Sequence, residues 1–158
     1  MKRKVVLDTS ALFSMEDIPT GIEAYTTNTV LEELEKYGDR RAAFLEHKLK
    51  VASPSSSSMV SVEEAARTTG DMSRLSPTDR EIIALALEIG GEIWTDDYSI
   101  QNVSEVLAMP YRPIGAGGIK KVIKWKYRCS GCGKVYQDDL PDCPICGGQL
   151  KTYRGKRK

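Results

Sequence analysis

The chain has 158 residues, 41% hydrophobic and 28% charged, room for one domain of about 110–120 residues and a small appendix. No apolar run approaches the roughly 20 residues that cross a bilayer, and Met1-Lys2-Arg3-Lys4 leads straight into a strand-like segment, so a cytoplasmic protein without a membrane partner is expected. The net charge of +1 hides an asymmetry: residues 119–158 hold 11 Lys/Arg against 3 Asp, and residues 1–118 hold 12 Lys/Arg against 19 Asp/Glu. A basic tail on an acidic body suits a polyanion gripped by the tail, with acids reserved for metal; a solvated tail with no partner is the plain alternative.

Short β-branched runs alternate with helical patterns over residues 1–112, the habit of an α/β parallel sheet. Val5-Val6-Leu7 reads as the first strand and Ala24–Thr27 as a short extended piece. Helices are expected over Thr29–Tyr37 and Arg40–Leu49, and Lys50–Ser53 is expected to be extended. The serine run Ser53–Ser58 reads as a loop and Ser61–Asp71 as weakly helical. Pro77–Ile89 carries the fullest helix signature, with Ser76 as N-cap, Pro77 at the first position and Gly90-Gly91 as the stop. Glu92–Thr95 is expected as a strand and Ser99–Leu107 as a helix. Pro110, Pro113 and Gly115-Ala116-Gly117-Gly118 mark a hinge; without a following Gly-Lys-Ser/Thr the glycine cluster is a connector, not a phosphate loop. The expected division is an α/β body over 1–112, a linker over 113–124, a four-cysteine module over 125–154 and a basic tail over 155–158.

All four cysteines fall in that module, as Cys129-Ser-Gly-Cys132 and Cys143-Pro-Ile-Cys146. Each C-x2-C turn delivers two thiolates, and the ten residues between the pairs can return the chain to close a tetrahedron around Zn2+. A closed set of four sulfurs leaves no open position, so the ion is expected to hold the fold and not to catalyse. About 30 residues build too little core to fold without it. Lys120, Lys121, Lys124, Lys126, Arg128 and Arg154 surround the cysteines, with Trp125 and Tyr127 interleaved. Charges for phosphates beside rings that stack on unpaired bases suit RNA, whereas the competing reading makes Trp125 and Tyr127 the module's own core.

The acids converge in a different way. Asp8 follows Val5-Val6-Leu7 at the C-terminal end of a strand, the edge where open α/β sheets bind ligands. Asp96-Asp97 takes the corresponding place after Glu92–Thr95, although one of the pair can cap the next helix. In the helix over 29–37, Thr29-x-x-Glu32 resembles a capping box, and Glu33 lies nearest the apolar stripe of Val30, Leu31, Leu34 and Tyr37. Asp79 stands in the first turn of the Pro77 helix, where Ser76-x-x-Asp79 is also a capping pattern. Carboxylates gathered in one crevice repel one another unless a cation neutralises them, and Mg2+ or Mn2+ prefers oxygen ligands. With one histidine, His47, and no cysteine spare for a nucleophile, such a set favours metal-assisted phosphodiester hydrolysis.

Leu7-Asp8-Thr9-Ser10, Val30-Leu31-Glu32-Glu33-Leu34, Leu75–Asp79 with Ile83–Ala86, and Trp94-Thr95-Asp96-Asp97 together resemble the PIN-domain nucleases. That resemblance implies a parallel sheet sandwiched by helices, with metal-ligand roles for Asp8, Glu33, Asp79 and Asp97 and Asp96 as a substitute or supporting ligand. With the ribbon added, the chain is similar to the compact archaeal form of the Nob family, Trp94–Val103 especially so. The family implies Mn2+-dependent cleavage of single-stranded precursor RNA at the 3′ end of small-subunit ribosomal RNA, on a pre-ribosomal particle and beside a KH-domain assembly factor. A toxin-type PIN ribonuclease acting on tRNA or mRNA, a non-catalytic RNA-binding adaptor and a DNA-binding zinc-ribbon factor are the competing expectations.

Overall fold

The computed structural model describes residues 2–40, 42–115 and 122–154. In chain order the elements are β1 (Arg3–Leu7), α1 (Thr9–Ser14), β2 (Ile22–Thr26), α2 (Asn28–Lys36), α3 (Ala42–Glu46), β3 (Lys50–Val51), α4 (Ser56–Thr69), α5 (Pro77–Ile89), β4 (Glu92–Trp94), α6 (Tyr98–Val106) and β5 (Tyr111–Arg112). After these come β6 (Trp125–Cys129), β7 (Val135–Tyr136) and β8 (Leu150–Arg154). The first five strands form one parallel sheet in the order β3-β2-β1-β4-β5, the α/β architecture expected.

The strand order positions everything else. The chain builds outward from β1 to β2 and β3, then crosses back to lay β4 and β5 on the other side, so the order reverses between β1 and β4. Connections diverge at such a reversal and leave a crevice beyond the carboxyl ends of the two strands. Val5, Val6 and Leu7 are all wholly buried, which on a strand of period two means both faces of β1 are covered. From one side come Ile82, Ile83, Leu85 and Ala86 of α5, each at most 1% exposed. Truncating one such buried isoleucine to alanine costs about 2–5 kcal/mol, so α5 is held by the core more than by its own propensity.

Its ends nonetheless follow local chemistry. Ser76 caps α5 and accepts from Asp79 N–H while Asp79 reaches back to Ser76 N–H, Pro77 opens the first turn, and Gly90 closes the helix in the left-handed region. Three local expectations are corrected. The serine run is not a loop throughout: Ser55 caps α4, and Ser56–Ser58 are its first turn. The cap of α2 is Thr27, not Thr29, because Thr27 Oγ1 accepts from Val30 N–H; Glu32 instead takes Asn28 Nδ2 at 2.9 Å. The short helix α1, capped by Asp8, has no counterpart among the expected elements.

β7-β6-β8 form a separate antiparallel sheet that packs on the body by the inward face of its central strand, β6. Trp125 passes Gly70 so closely that a Cβ there would lie 2.2 Å from Trp125 O, and Gly70 also sits at φ +77°, so glycine is required on both counts. Tyr127 is 3% exposed; its hydroxyl donates to Gly70 O and shares a hydrogen bond with Ser73, both at 2.6 Å. The Arg74 guanidinium lies 3.8 Å over the Trp125 ring while its Nε donates to Ser99 Oγ at 3.2 Å. Beneath these, Asp71 is fully buried and accepts from Thr69 Oγ1 and Asn102 Nδ2, each at 2.6 Å.

Candidate active site and four-cysteine module

β1 and β4 are neighbours with Leu7 opposite Trp94, so the residues just beyond each strand emerge side by side at the reversal. Asp8 is 4% exposed there. Its Oδ1 caps α1 by accepting from Ala11 N–H at 2.7 Å and Ser10 Oγ at 2.8 Å, and its Oδ2 accepts the Thr95 hydroxyl. Burial pushes the Asp8 carboxyl up to about 6, against the lowering effect of those three donors, and the charge of Asp97 adds to the rise.

Asp97 caps α6, its Oδ1 accepting from Ser99 and Ile100 N–H at 2.8 and 3.2 Å, which aims the carboxylate at the same edge. Asp96 turns the other way and accepts from Ile114 N–H at 2.7 Å and Gly115 N–H at 3.1 Å, pinning the segment after β5. Glu33, on α2, accepts the Thr9 hydroxyl at 2.6 Å, which ties it to the helix that Asp8 caps. Thr29 donates to Glu81 at 2.7 Å and draws the first turns of α2 and α5 together. Asp79 remains bound to the backbone of Ser76 at the start of α5. Burial raises its carboxyl, and the charges of Asp97 and Glu33 raise it further.

Four elements therefore bring Asp8, Glu33, Asp79 and Asp97 close enough that Asp97 is felt by both Asp8 and Asp79, and Glu33 by Asp79. A set of oxygen donors destabilised by its own charge fits a hard divalent cation. Among the described residues, the group close enough together to hold a metal ion as it stands is the four cysteines, all within 4.8 Å of one another. Thr9 and Thr95 belong to the sequence motifs, yet the motifs alone assign them no role. Both hold a carboxylate by a hydroxyl, and the signal for this in the sequence is a hydroxyl residue beside each strand-end aspartate.

Around the cysteines the geometry is that of a ligand cage. Cys129 Sγ and Cys146 Sγ are 3.3 Å apart and Cys132 Sγ and Cys143 Sγ 3.7 Å, far beyond a disulfide and near the ~3.8 Å edge of a tetrahedron with metal–sulfur bonds of about 2.3 Å. Gly131 N–H and Cys132 N–H point at Cys129 Sγ at 3.3 and 3.5 Å, and Tyr136 Oη lies 3.2 Å from Cys143 Sγ. A Cβ on Gly148 would stand 3.0 Å from Cys129 Sγ, so close approach of sulfur, and not a positive φ, explains that glycine. The donor set fits one Zn2+.

The alternation of β6 sorts the sequence-derived RNA contacts. Trp125 and Tyr127 face inward and serve the contact with the body, while Lys126 and Arg128 face outward with Lys124 exposed beside them. Cross-strand partners place Lys151 beside Arg128 and Tyr153 beside Lys126, and the Arg128 guanidinium lies 5.1 Å over the Tyr153 ring. Lys120, Lys121 and the tail 155–158 lie outside the described residues, as does the side chain of Arg154. No helix among the described residues is long and apolar enough to cross a membrane.

Comparison with known proteins identifies the family. A family model described as the PIN domain of ribonuclease matches residues 5–89. The chain is 40% identical over 166 residues to Endoribonuclease Nob1 of Pyrococcus abyssi, covering 100% of this chain and 98% of that protein. It is 38% identical over 160 residues to Endoribonuclease Nob1 of Methanothermobacter thermautotrophicus, covering 96% and 93%. It is also 39% identical over 155 residues to Ribonuclease VapC1 of Thermoplasma acidophilum, covering 97% of this chain and 79% of that one.

Proposed function

The chain belongs to the PIN-domain ribonucleases and is an endoribonuclease, and we propose that it cuts single-stranded precursor RNA to mature the 3′ end of small-subunit ribosomal RNA. The observation that carries the chemistry is the mutual charge of Asp8, Glu33, Asp79 and Asp97 at the β1–β4 reversal. These four would hold Mn2+ or Mg2+, with Asp97 as ligand in preference to Asp96, whose carboxylate is committed to the backbone of Ile114 and Gly115. When bound, the cation supplies Lewis acidity to the attacking water and to the leaving oxygen of the phosphodiester. Thr95 and Ala11 N–H fix the Asp8 carboxylate, and Thr9 fixes that of Glu33, so the donors are oriented before RNA arrives.

Zn2+ on Cys129, Cys132, Cys143 and Cys146 would hold the module over 125–154 as a scaffold. Its outer face, with Lys124, Lys126, Arg128, Lys151 and Tyr153, would meet phosphates and an unpaired base, aided by Lys120, Lys121, Arg154 and the basic tail. The proposed setting is a pre-ribosomal particle in the cytoplasm, with a KH-domain assembly factor as a further partner. The assignment to ribosomal RNA rests on similarity across the whole chain to proteins named Endoribonuclease Nob1.

A toxin-type reading draws support from the relative named Ribonuclease VapC1, whose match covers 97% of this chain and so reaches the cysteine module. One assay separates the two: a labelled RNA spanning the 3′ end of small-subunit ribosomal RNA, incubated with Mn2+, with EDTA, and with Asp8→Asn protein. A single metal-dependent cut at the mature end, lost with EDTA and with Asp8→Asn, is expected. Cutting of tRNA or mRNA in preference would support the toxin-type reading, and RNA binding without any cut would support an adaptor.

A further inference from the structure

The chain has two phenylalanines, and both are exposed: Phe13 at 44% and Phe44 at 58%, with Tyr37 at 70%. An exposed large aromatic is informative where several gather, because burial is the ordinary fate of phenylalanine. Phe13 and Tyr37 meet edge to face with ring centroids 6.0 Å apart.

Their place in the fold gives the pair its meaning. Phe13 is four residues after Thr9 on α1, and Tyr37 is four residues after Glu33, at the end of α2 with its N–H on Glu33 O at 3.0 Å. Residues four apart share a helix face, so the Thr9–Glu33 hydrogen bond and the Phe13–Tyr37 ring contact are consecutive rungs of one seam between α1 and α2. The first rung belongs to the catalytic edge. The second is one turn away, about 5.4 Å, and open to solvent.

We propose that Phe13 and Tyr37 form a base-stacking subsite that holds an unpaired nucleobase of the RNA next to the bond being cut. This rests on the reading of Asp8 and Glu33 as part of the catalytic edge. Two rings at an angle give one face for stacking and one edge for lateral contact, which suits any unpaired base and reads no hydrogen-bond pattern. A duplex cannot offer such a base, so the subsite selects single strands. It also fixes the backbone beside Glu33, since the ribose and phosphate of a stacked base have little freedom left. The role is binding and positioning; neither ring touches the reacting atoms.

The test uses the zinc-loaded full chain and a short single-stranded RNA, with a set of copies each carrying one abasic nucleotide. RNA affinity is measured in buffer without Mn2+ or Mg2+ and without a chelator, so that zinc is retained and nothing is cut, and steady-state cleavage separately with Mn2+. One abasic position is expected to weaken wild-type binding about tenfold. Tyr37→Ala and Phe13→Ala should produce the same loss on intact RNA, raise KM with kcat nearly unchanged, and abolish the penalty of that abasic position. Tyr37→Phe and Tyr37→Trp should retain wild-type affinity. If Tyr37→Ala binds as wild type, or the abasic penalty persists in it, the subsite does not exist. If Tyr37→Ala dissociates a dimer in sedimentation while RNA affinity stays constant, the rings serve a contact between copies and the proposal fails. Absence of metal-dependent cutting by the wild type would overturn the catalytic reading, while the affinity arm would still decide the subsite.

Discussion

Asn102 grips Ile123 by both ends of its carboxamide: Oδ1 accepts Ile123 N–H and Nδ2 donates to Ile123 O, each at 2.5 Å. The same side chain also donates to the buried Asp71, so one residue joins α6, the α4–α5 turn and the approach to β6. Asn102→Leu keeps the volume but leaves Ile123 N–H and O without their partner and removes one of the two donors to the Asp71 carboxylate described above. A loss of about 2–4 kcal/mol is expected. It should show as hydrogen exchange rising across β6–β8 and as faster tumbling of that module in NMR relaxation, with zinc still bound. Retention of wild-type exchange would mean that Tyr127 and Arg74 alone hold the contact.

Asp8 makes the metal-free body sensitive to pH. Its carboxyl is raised from 3.8 to about 6 by burial, so the folded chain holds this proton more tightly than the unfolded chain does. The resulting stability is complete below about pH 4, declines as pH rises to about 6, and is flat above that; the difference is at most about 3 kcal/mol. Urea midpoints of the zinc-loaded chain without added Mn2+ or Mg2+, between pH 4 and 8, should trace this decline, and Asp8→Asn should remove the part due to Asp8. Saturating Mn2+ at the proposed site should favour the ionised carboxylate and offset the loss, and at subsaturating Mn2+ cleavage should fall with falling pH, because the proton competes with the ion.

Removing zinc should melt one part of the molecule. The β6–β8 sheet buries few side chains of its own, and four thiolates left close together without a cation repel one another as they ionise. Chelation, or Cys129→Ser, is expected to abolish NMR signal dispersion for residues of β6–β8 while the parallel sheet keeps its circular dichroism. RNA affinity should drop with it. A global unfolding on chelation would show that the module is an integral part of the body and not a separable one.

On the proposed reading, the outward face of β6 should set the salt dependence of RNA binding. Each phosphate that is no longer neutralised should reduce the slope of log K against log salt by about 0.7 for a single strand. Lys126→Ala with Arg128→Ala should therefore lower it by up to about 1.4, and Tyr127→Phe, on the inward face, should leave it unchanged. Equal slopes for the double variant and the wild type would move the RNA to another surface.

Much of the frame is legible in the sequence because it is written in local chemistry. Ser76, Pro77 and Gly90 bound α5 to the residue, and two C-x2-C turns describe a sulfur cage without any knowledge of the rest of the chain. The Thr29-x-x-Glu32 pattern misleads at the start of α2, since Thr27 carries the same hydroxyl two residues earlier and only the real turn decides which meets Val30 N–H. The serines at 55–58 are hidden by a composition typical of loops, although a serine before a helix is a cap. Asp96 and Asp97 cannot be separated in sequence because their fates depend on Ile114 and Ser99, which lie on different elements. Tyr127 reads in sequence as a candidate base platform; the opposing Gly70 and Ser73 lie over 50 residues away, beyond any periodic pattern.

The adjacency of β1 and β4 bears on when the enzyme comes into being. Asp8 and the Thr95 that holds it are 87 positions apart, and the strands that carry them cannot pair until nearly the whole body has been made. During synthesis, β1 can pair with β2 while its other edge waits, uncovered, for β4. On the proposed assignment of Asp8, Glu33, Asp79 and Asp97, a nascent chain that stops short of Asp97 lacks part of the acidic set and would be inert toward RNA even as it emerges from a ribosome surrounded by it. The ordering of strands in this sheet would then work as a safeguard, with nuclease activity among the last properties the polypeptide acquires.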